Sequence, residues 1–242
     1  MTTGETLGIC AGLDRLLAGF ADASDVSPLQ VEGLRHDSRK VRPGDLFVAL
    51  AGLHAHGLSH AAQAISQGCA AIVYDPAMEG DALATAVHGL PLIRVTELGR
   101  KLGYIADRFF GEPSREMDVV GLTGTNGKTS CSHFLAQALS GAAPAGVLGT
   151  LGWGVPGQLS LTTHTTPDAI EVHEILYRLR HQGFAAVAME ASSHGLDQGR
   201  LNGVRFRGAL FTNFSRDHLD YHGTMEAYLE AKLRLLDWPG LE

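Results

Sequence analysis

The fold is decided by one stretch of the chain, Val119-Val120-Gly121-Leu122-Thr123-Gly124-Thr125-Asn126-Gly127-Lys128-Thr129-Ser130. It begins as a β-branched strand, passes through a glycine-rich turn and continues as a helical pattern from Lys128. That is the context which a phosphate-binding loop requires. Glycines allow positive φ and close backbone approach, so successive N–H groups can face phosphate oxygens at a helix N-terminus. The alternative is a glycine-rich turn with a chance lysine.

The loop departs from the common phosphate-loop pattern at one position. The pattern G-x-x-x-x-G-K-[ST] needs glycine at position 122, where this chain has Leu122, and the glycines stand at 121, 124 and 127 instead. We expect Lys128 to reach the terminal phosphates of ATP and the Thr129 hydroxyl to ligate Mg²⁺. The predicted ATP-binding residues are Gly124, Thr125, Asn126, Gly127, Lys128, Thr129 and Ser130.

Composition excludes several classes of protein. The 242 residues, 45% hydrophobic and 19% charged, suit one large or two ordinary globular domains. A net charge of −7 argues against a general nucleic-acid binder, though not against a nucleotide ligand. The chain has no apolar run of about 20 residues to span a bilayer and no signal-peptide pattern. Its three scattered cysteines indicate a reducing compartment. We expect a cytoplasmic monomer without nucleic-acid or membrane partners.

Short apolar runs alternate with longer amphipathic stretches, which predicts an α/β fold with a mainly parallel sheet. The predicted strands are Asp45–Leu50, Ala70–Tyr74, Leu92–Val95, Asp118–Leu122, Gly146–Gly149, Ala185–Met189 and Ala209–Thr212. The predicted helices are Glu5–Leu17, Ser59–Gln67, Leu98–Phe110, Lys128–Leu139, Asp168–His181 and Thr224–Leu236.

A domain boundary is predicted at Phe110-Gly111-Glu112-Pro113-Ser114. A helical pattern ends there in a glycine and a nearby proline, and a new apolar strand begins at Asp118. We therefore expect a first lobe of residues 1–112 and a second of residues 113–242. The boundary lies between residues 98 and 114, because the helix Leu98–Phe110 could belong to either lobe.

Four parts of the chain resemble one family. The loop Thr123–Thr129 resembles the ATP loop of the Mur ligases and of their folylpolyglutamate synthetase relatives. The stretch Asp37–Leu50 looks like the uridine-binding lobe of the MurE and MurF branches. Met189–Leu196 is similar to the substrate segment of the MurE branch, and Asn213–Gly223, followed by Tyr228–Lys232, resembles its metal and lysine segment. The chain is identified as a member of the Mur ligase family, of the MurE type.

The resemblance implies a fold and an activity. It implies a uridine-binding α/β lobe followed by a partial ATPase domain of the P-loop type. The expected enzyme is an ATP-dependent amide ligase of peptidoglycan synthesis, which activates a carboxylate as an acyl phosphate for attack by an amine. It would add a free amino acid, meso-2,6-diaminopimelate or otherwise L-lysine, to UDP-N-acetylmuramoyl-L-alanyl-D-glutamate. The family has a third, amino-acid-binding domain, so we expect a truncated chain that is inactive alone; a degenerate descendant is the alternative.

The resemblance also implies catalytic residues, namely Lys128, Glu190, His218 and Lys232, and Mg²⁺ ligands, namely Thr129, Glu190, His218 and a carbamylated Lys232. From its position alone, Glu190 follows an apolar run, at the strand end where α/β sheets bind ligands. The alternatives are a solvated acid at Glu190, a structural histidine at His218 and a surface lysine at Lys232. Carbamylation requires the neutral amine, so we expect a lowered pKa for Lys232.

For the UDP-linked substrate, the resemblance implies two groups of residues. The first lobe would contribute His36, Ser38, Leu53, His54 and Ala55, and the second Thr165, Thr166, Ser192, Gln198 and Arg200. Small hydroxyls and an arginine suit sugar hydroxyls, pyrophosphate and carboxylate. The alternative is that these are ordinary polar loop residues. His164 stands where many relatives have asparagine, and His36 replaces an apolar residue, so any contact at His36 would be through the backbone.

Other functions compete with this interpretation. A folylpolyglutamate or cyanophycin synthetase relative would lack the Asp37-Ser38-Arg39 front lobe. A P-loop kinase would consume ATP without an amine acceptor, and a nucleotide-sugar-binding fragment would not catalyse at all. His218 and His222 are spaced as zinc ligands could be, but no glutamate follows His218, so the pattern disfavours zinc.

Overall fold

The computed structural model describes residues 8–26, 28–52, 54–141, 143–162 and 164–241. The chain divides into two compact units, Met1–Phe109 and Phe110–Glu242. Each unit contains a mainly parallel sheet, as the alternation of apolar runs and amphipathic stretches predicted. Within the described residues, no helix combines the length and the apolar character needed to cross a membrane.

The first unit is built on a four-stranded parallel sheet with strand order β3-β4-β5-β6. A short antiparallel pair, β1 with β2, precedes it. The strands are β1 (Ala11–Gly12), β2 (Gln30–Val31), β3 (Gly33–Arg35), β4 (Asp45–Ala49), β5 (Ala71–Tyr74) and β6 (Leu92–Arg94). The helices are α1 (Leu13–Leu17), α2 (Ala61–Ser66), α3 (Gly80–Ala84) and α4 (Leu98–Phe109).

The core of the first unit lies around its two central strands. Every residue of β4 and β5 is buried, which is why both strands, apart from Asp45 at the start of β4, are continuous apolar runs rather than alternating ones. The following helix α4 turns one apolar stripe inward. Asp75, just after β5, accepts hydrogen bonds from the N–H groups of Ala77 (3.0 Å) and Leu98 (2.8 Å). That buried carboxylate fixes the start of α4 at the end of the sheet.

The second unit is built on a six-stranded sheet with order β10-β9-β8-β11-β7-β12. The strands β8, β11, β7 and β12 are parallel, whereas β9 and β10 are antiparallel. The strands are β7 (Asp118–Thr123), β8 (Ala145–Gly149), β9 (Gly152–Val155), β10 (Gln158–Ser160), β11 (Ala186–Glu190) and β12 (Phe206–Phe211). The helices are α5 (Lys128–Leu139), α6 (Ala169–His181), α7 (Ser193–Asp197), α8 (Leu219–His222) and α9 (Met225–Leu233).

The parallel strands of the second unit all end at one edge of the sheet. The register pairs Glu190, the last residue of β11, with Leu122 of β7. The residues that follow each strand therefore meet at this edge, where open α/β sheets bind ligands. Two apolar clusters support the sheet, one that includes α6 residues and one that includes α5 residues.

Most predicted elements are confirmed within two residues at each end, and three need correction. The predicted helix Glu5–Leu17 begins only at Leu13, because the backbone of Ala11–Gly12 pairs with β2; residues 1–7 lie outside the described part. The strand predicted at Ala209–Thr212 begins earlier, at Phe206, and the helix predicted at Thr224–Leu236 ends at Leu233. The hairpin of β9 and β10 was not predicted, because its strands have only four and three residues and β9 contains two glycines.

Candidate active site

The glycine loop joins β7 to α5. Gly124 has φ +138° and Gly127, the N-cap of α5, has φ +82°. A Cβ added at Gly124 would collide with the hydroxyl of Thr212, so a side chain is excluded there. The N–H of Cys131 makes the first bond of the helix, to Gly127 O. The N–H groups of residues 128–130 precede that bond, and the first N–H groups of a helix are the ones available to an anion.

Thr212 and Asn213, which follow β12, hold this loop by hydrogen bonds; we call this pair the clamp. The N–H of Thr125 donates to Asn213 O (2.9 Å), and the N–H of Asn126 donates to Asn213 Oδ1 (3.0 Å). In return, Asn213 Nδ2 and Thr212 Oγ1 donate to Asn126 O at 2.9 and 2.6 Å. The N–H groups of Thr125 and Asn126 are thus engaged within the protein. Their contact with ATP stays a prediction.

The Thr125 side chain adds a second attachment. Its hydroxyl donates to Ser215 O (3.1 Å) and accepts from Ser215 N (3.0 Å). The hydroxyl of the fully buried Tyr228 lies 3.2 Å away. When the single hydroxyl proton of Thr125 goes to Ser215 O, Tyr228 is the donor to Thr125. Helix α9 therefore contacts the loop through Tyr228.

Lys128 is half-buried and folds back over its own loop. Its Nζ donates to Gly124 O and Thr125 O, both at 2.9 Å. Burial lowers the pKa of Lys128, and the negative charges of Glu190 and Asp217 oppose that shift. The cation therefore lies beside the exposed helix start, within the loop predicted to hold phosphate.

Lys232 lies in the interior, with 1% of its surface exposed. Its Nζ donates to Gly124 O (2.7 Å), the carbonyl that Lys128 also uses, and lies 4.6 Å from the centre of the Tyr228 ring. Burial, followed by the charge of Lys128, lowers the pKa of Lys232 to about 8. The surface lysine that helical spacing alone would suggest is therefore wrong. A lowered pKa favours the neutral amine that carbamylation requires.

Glu190 is buried, with 2% of its surface exposed, so a solvated acid at the strand end is also wrong. Its carboxylate accepts bonds from Thr129 Oγ1 (3.1 Å), Thr150 N (3.0 Å) and Thr150 Oγ1 (3.1 Å). The structure thus brings together Thr129 and Glu190, two of the predicted Mg²⁺ ligands. Their hydroxyl and carboxylate oxygens are hard donors, which fit Mg²⁺.

His218 lies in a cluster of aromatic rings rather than in that pair. Its ring centre is 4.9 Å from that of His194 and 5.9 Å from that of Tyr228. The backbone N–H of His218 donates to Asp217 Oδ1 (2.8 Å). Burial, and then the charges of neighbouring histidines, lower the pKa of His194. In the part of the chain described, no group of three or more His, Cys, Asp or Glu side chains is arranged to hold a metal.

The predicted substrate residues of the second unit gather around Glu190. Thr166 Oγ1 donates to the backbone O of Glu190 (2.9 Å) and accepts from the N–H of Ser192 (3.0 Å). The Arg200 guanidinium donates to Thr166 O (2.7 Å) and twice to Gln198 Oε1 (2.9 and 2.6 Å). Thr165 lies 3.0 Å from Thr150, and His164 is exposed. One connected network therefore links these side chains to the Glu190 strand end.

The predicted substrate residues of the first unit lie on the loops after β3 and β4. Ser38 is buried and its hydroxyl donates to Gln63 Oε1 (2.7 Å). His36, His54 and Ala55 are exposed. Leu53 lies outside the described residues. Because β3 and β4 are parallel, both loops belong to one edge of their sheet.

Several residues of the site were not predicted from the sequence. They are Thr150, Thr212, Asn213, Asp217 and Tyr228. Their partners are up to about a hundred residues away in the chain, so no local spacing reveals them. For Asn213, Asp217 and Tyr228 the available signal is that they lie within the segments Asn213–Gly223 and Tyr228–Lys232. For Thr150 and Thr212 it is their position, because each directly follows a parallel strand of one sheet.

Both units of the chain match known protein families. The profile of the Mur ligase middle domain matches residues 122–241, and that of the Mur ligase family catalytic domain matches residues 30–109. The UDP-N-acetylmuramoyl-L-alanyl-D-glutamate–2,6-diaminopimelate ligase of Alkalilimnicola ehrlichii is 49% identical over 236 residues, which are 95% of this chain and 47% of that protein. This chain therefore spans about half the length of the curated relatives it matches.

Two of the solved structures that resemble the chain are ligases. One is a UDP-N-acetylmuramoyl-L-alanyl-D-glutamate–2,6-diaminopimelate ligase, which superposes with a TM-score of 0.75 at 32% identity, over 92% of this chain and 46% of that one. The other is the MurF ligase of Thermotoga maritima in complex with ADP, with a TM-score of 0.56 at 21% identity, over 84% of this chain and 42% of that one. The second likeness concerns the fold alone.

Proposed function

The chain belongs to the Mur ligase family, as its motifs predicted, and from that premise we propose that it carries the uridine-binding and ATP-binding parts of a peptidoglycan-precursor ligase. The substrate would be UDP-N-acetylmuramoyl-L-alanyl-D-glutamate. The added amino acid would be meso-2,6-diaminopimelate, the one in the names of the Alkalilimnicola relative and of the solved structure at 32% identity. The unit Met1–Phe109 would bind the uridine nucleotide, and Phe110–Glu242 would bind ATP.

The observation that carries this proposal is the arrangement at the edge of the second sheet. A buried carboxylate, Glu190, bonds the Thr129 hydroxyl at the start of α5, while Lys128 and Lys232 share the carbonyl of Gly124. Amide formation through an acyl phosphate brings two anions together, so the protein must supply positive charge and oriented N–H donors. This edge offers both.

In the proposed reaction, an oxygen of the substrate carboxylate attacks the terminal phosphorus of ATP and ADP leaves. The amine of the amino acid then attacks the acyl carbon, phosphate leaves, and an amide bond remains. The N–H groups of residues 128–130 and the Lys128 ammonium hold the phosphates during the transfer. No acid–base pair of the chain is needed beyond loss of the amine proton to solvent.

Mg²⁺ would be held by Thr129 and Glu190, with His218 and a modified Lys232 as further proposed ligands. When bound, the ion neutralises phosphate charge and orients the terminal phosphate. Lys232 would become a ligand by carbamylation, in which its neutral amine attacks carbon dioxide, a C–N bond forms and one proton is lost. The lowered pKa of its buried amine supports that role.

The test measures ligand binding by the 242-residue chain. A fluorescent ADP analogue is titrated with Mg²⁺ present, and UDP-N-acetylmuramoyl-L-alanyl-D-glutamate is titrated by calorimetry against UDP-N-acetylglucosamine as the comparison ligand. We expect the chain to bind ADP and to prefer the muramoyl dipeptide. Lys128→Ala should abolish ADP binding, whereas Lys101→Ala, in the other unit, should not.

Two results would count against the proposal. The first is a folded chain that binds no ADP, or that binds it equally well after Lys128→Ala. The second is equal affinity for the two UDP-sugars, because the peptide and lactyl groups distinguish them and a precursor ligase must recognise those groups.

A further inference from the structure

Thr150 directly follows β8 and contacts the Glu190 carboxylate twice. Its N–H donates to Oε1 at 3.0 Å, and its hydroxyl donates to Oε2 at 3.1 Å. Thr150 is exposed, whereas Glu190 is buried. The residue therefore covers the carboxylate on its outer side and restrains both of its oxygens.

The backbone before Thr150 is shaped around the same carboxylate. A Cβ added at Gly149 would collide with Glu190 Oε1, so the chain approaches as closely as a glycine permits. The nearby Thr162 behaves differently, since its hydroxyl donates to the backbone O of Gly149 at 3.0 Å. Thr162 fastens the segment, whereas Thr150 acts on the carboxylate itself.

The direction of the hydrogen bonds follows from counting protons. An ionised carboxylate only accepts, so the single hydroxyl proton of Thr150 is donated to Glu190. Thr150 must then accept from Thr165, whose hydroxyl oxygen lies 3.0 Å away. Thr165 has then donated its only proton, so its hydroxyl can only accept a hydrogen bond from a further group. A chain of bonds thus runs from Thr165 through Thr150 to Glu190.

We propose that Thr150 is a positioning residue, which holds Glu190 in the orientation that ligates a divalent cation and fixes Thr165 as a hydrogen-bond acceptor. Thr165 then meets a donor group of the UDP-linked substrate, a hydroxyl or an amide N–H, rather than a phosphate or carboxylate oxygen. This inference rests on the proposed function, because it takes Glu190 as a cation ligand and Thr165 as a substrate contact.

The first experiment measures Mn²⁺ binding to the 242-residue chain in the presence of ADP, by electron paramagnetic resonance. Removing a partner that orients a metal ligand typically weakens metal affinity about 10- to 100-fold, and we expect that loss for Thr150→Val. Thr150→Ser keeps the hydroxyl and should retain the affinity of the unsubstituted chain. Thr162→Val, which removes a hydroxyl that does not contact Glu190, is the matched control.

The same variants are titrated with ADP in EDTA. A positioning role changes the affinity for Mn²⁺ and leaves metal-free ADP binding unaltered, whereas a collapsed loop would weaken both. Should Thr150→Val fail to fold, Thr150→Ala removes the same hydroxyl and carries the test. Unaltered Mn²⁺ binding in the hydroxyl-free variant, or an equal loss in Thr150→Ser, would overturn this inference alone. An unsubstituted chain that binds no Mn²⁺ with ADP would overturn the proposed function as well.

The second experiment tests the link to Thr165. Affinity for UDP-N-acetylmuramoyl-L-alanyl-D-glutamate is measured for Thr150→Val, Thr165→Val and the double variant. If Thr165 depends on Thr150 for its orientation, the double variant loses less than the two single losses combined, as expected for residues in one network. Additive losses would contradict the link.

Discussion

Replacing Lys232 by methionine should make the second unit more stable at neutral pH. Burial and the charge of Lys128 lower the pKa of Lys232 from 10.5 to about 8. Folding therefore disfavours the charged amine. At a pH where Lys232 is protonated in the folded and in the unfolded chain, this effect lowers the free energy of unfolding in full. Methionine fills a similar volume without a charge, and Gly124 O keeps its bond from Lys128 at 2.9 Å.

The sign and size follow from linkage. Between the folded and unfolded pKa values the unfolded chain binds more protons, so stability rises as pH increases through that window. The difference between a pKa of 10.5 in the unfolded chain and about 8 in the folded chain corresponds to roughly 3 kcal/mol at pH 7 and to roughly 1 kcal/mol at pH 9.5. The lost hydrogen bond to Gly124 O offsets about 1 kcal/mol of the gain at either pH. The advantage of Lys232→Met should therefore shrink by about 2 kcal/mol between these pH values.

The assay is denaturant unfolding followed by tryptophan fluorescence, in buffer freed of carbon dioxide. Both tryptophans, Trp153 and Trp238, belong to the second unit, so the signal reports the unit that contains Lys232. Lys40→Met, at an exposed lysine of the first unit, is the control and should leave this signal unchanged. A Lys232→Met variant that is less stable at pH 7, or whose advantage is independent of pH, would refute the reasoning.

Three further substitutions have defined outcomes. Gly124→Ala should lower the free energy of unfolding by more than about 1 kcal/mol and abolish binding of a fluorescent ADP analogue, because the new methyl group collides with the Thr212 hydroxyl. Calorimetry measures the stability, and titration measures the binding. Asn213→Ala removes two hydrogen bonds to Asn126, so the free energy of unfolding should fall by about 1–3 kcal/mol and ADP binding should weaken. Unchanged stability and affinity would mean that these hydrogen bonds do not hold the loop. Asp75→Ala should destabilise the first unit by about 1–2 kcal/mol, since α4 loses its capping carboxylate; intact amide-exchange protection in α4 would argue otherwise.

The elements around the glycine loop could be predicted from the sequence because their signals are local. Strand β7, the loop and helix α5 follow one another without interruption, and α5 was predicted with both ends correct. The first helix was not, since strand pairing between Ala11 and Val31 depends on residues that are distant in the chain. Tertiary pairing overrode local helical propensity there.

The candidate site could be predicted only where a motif covers it. Lys128 and Thr129 lie at the start of α5 and Glu190 at the end of β11, the positions that the pattern predicted, whereas their roles stay predictions. The burial of Lys232 contradicts ordinary helical spacing, because α9 places that side chain beneath the glycine loop, in contact with Gly124. Thr150 belongs to no motif, and its role depends on contacts formed only when parallel strands align.

Glu190, the buried carboxylate at the centre of the site, offers the most direct test of the proposed function. The affinity of the chain for a fluorescent ADP analogue is measured in Mg²⁺ and again in EDTA, for the unsubstituted chain and for Glu190→Gln. We expect Mg²⁺ to strengthen ADP binding by the unsubstituted chain and this dependence to disappear in Glu190→Gln, whose neutral amide lacks the negative charge of the carboxylate. The same dependence on Mg²⁺ in both proteins would contradict it.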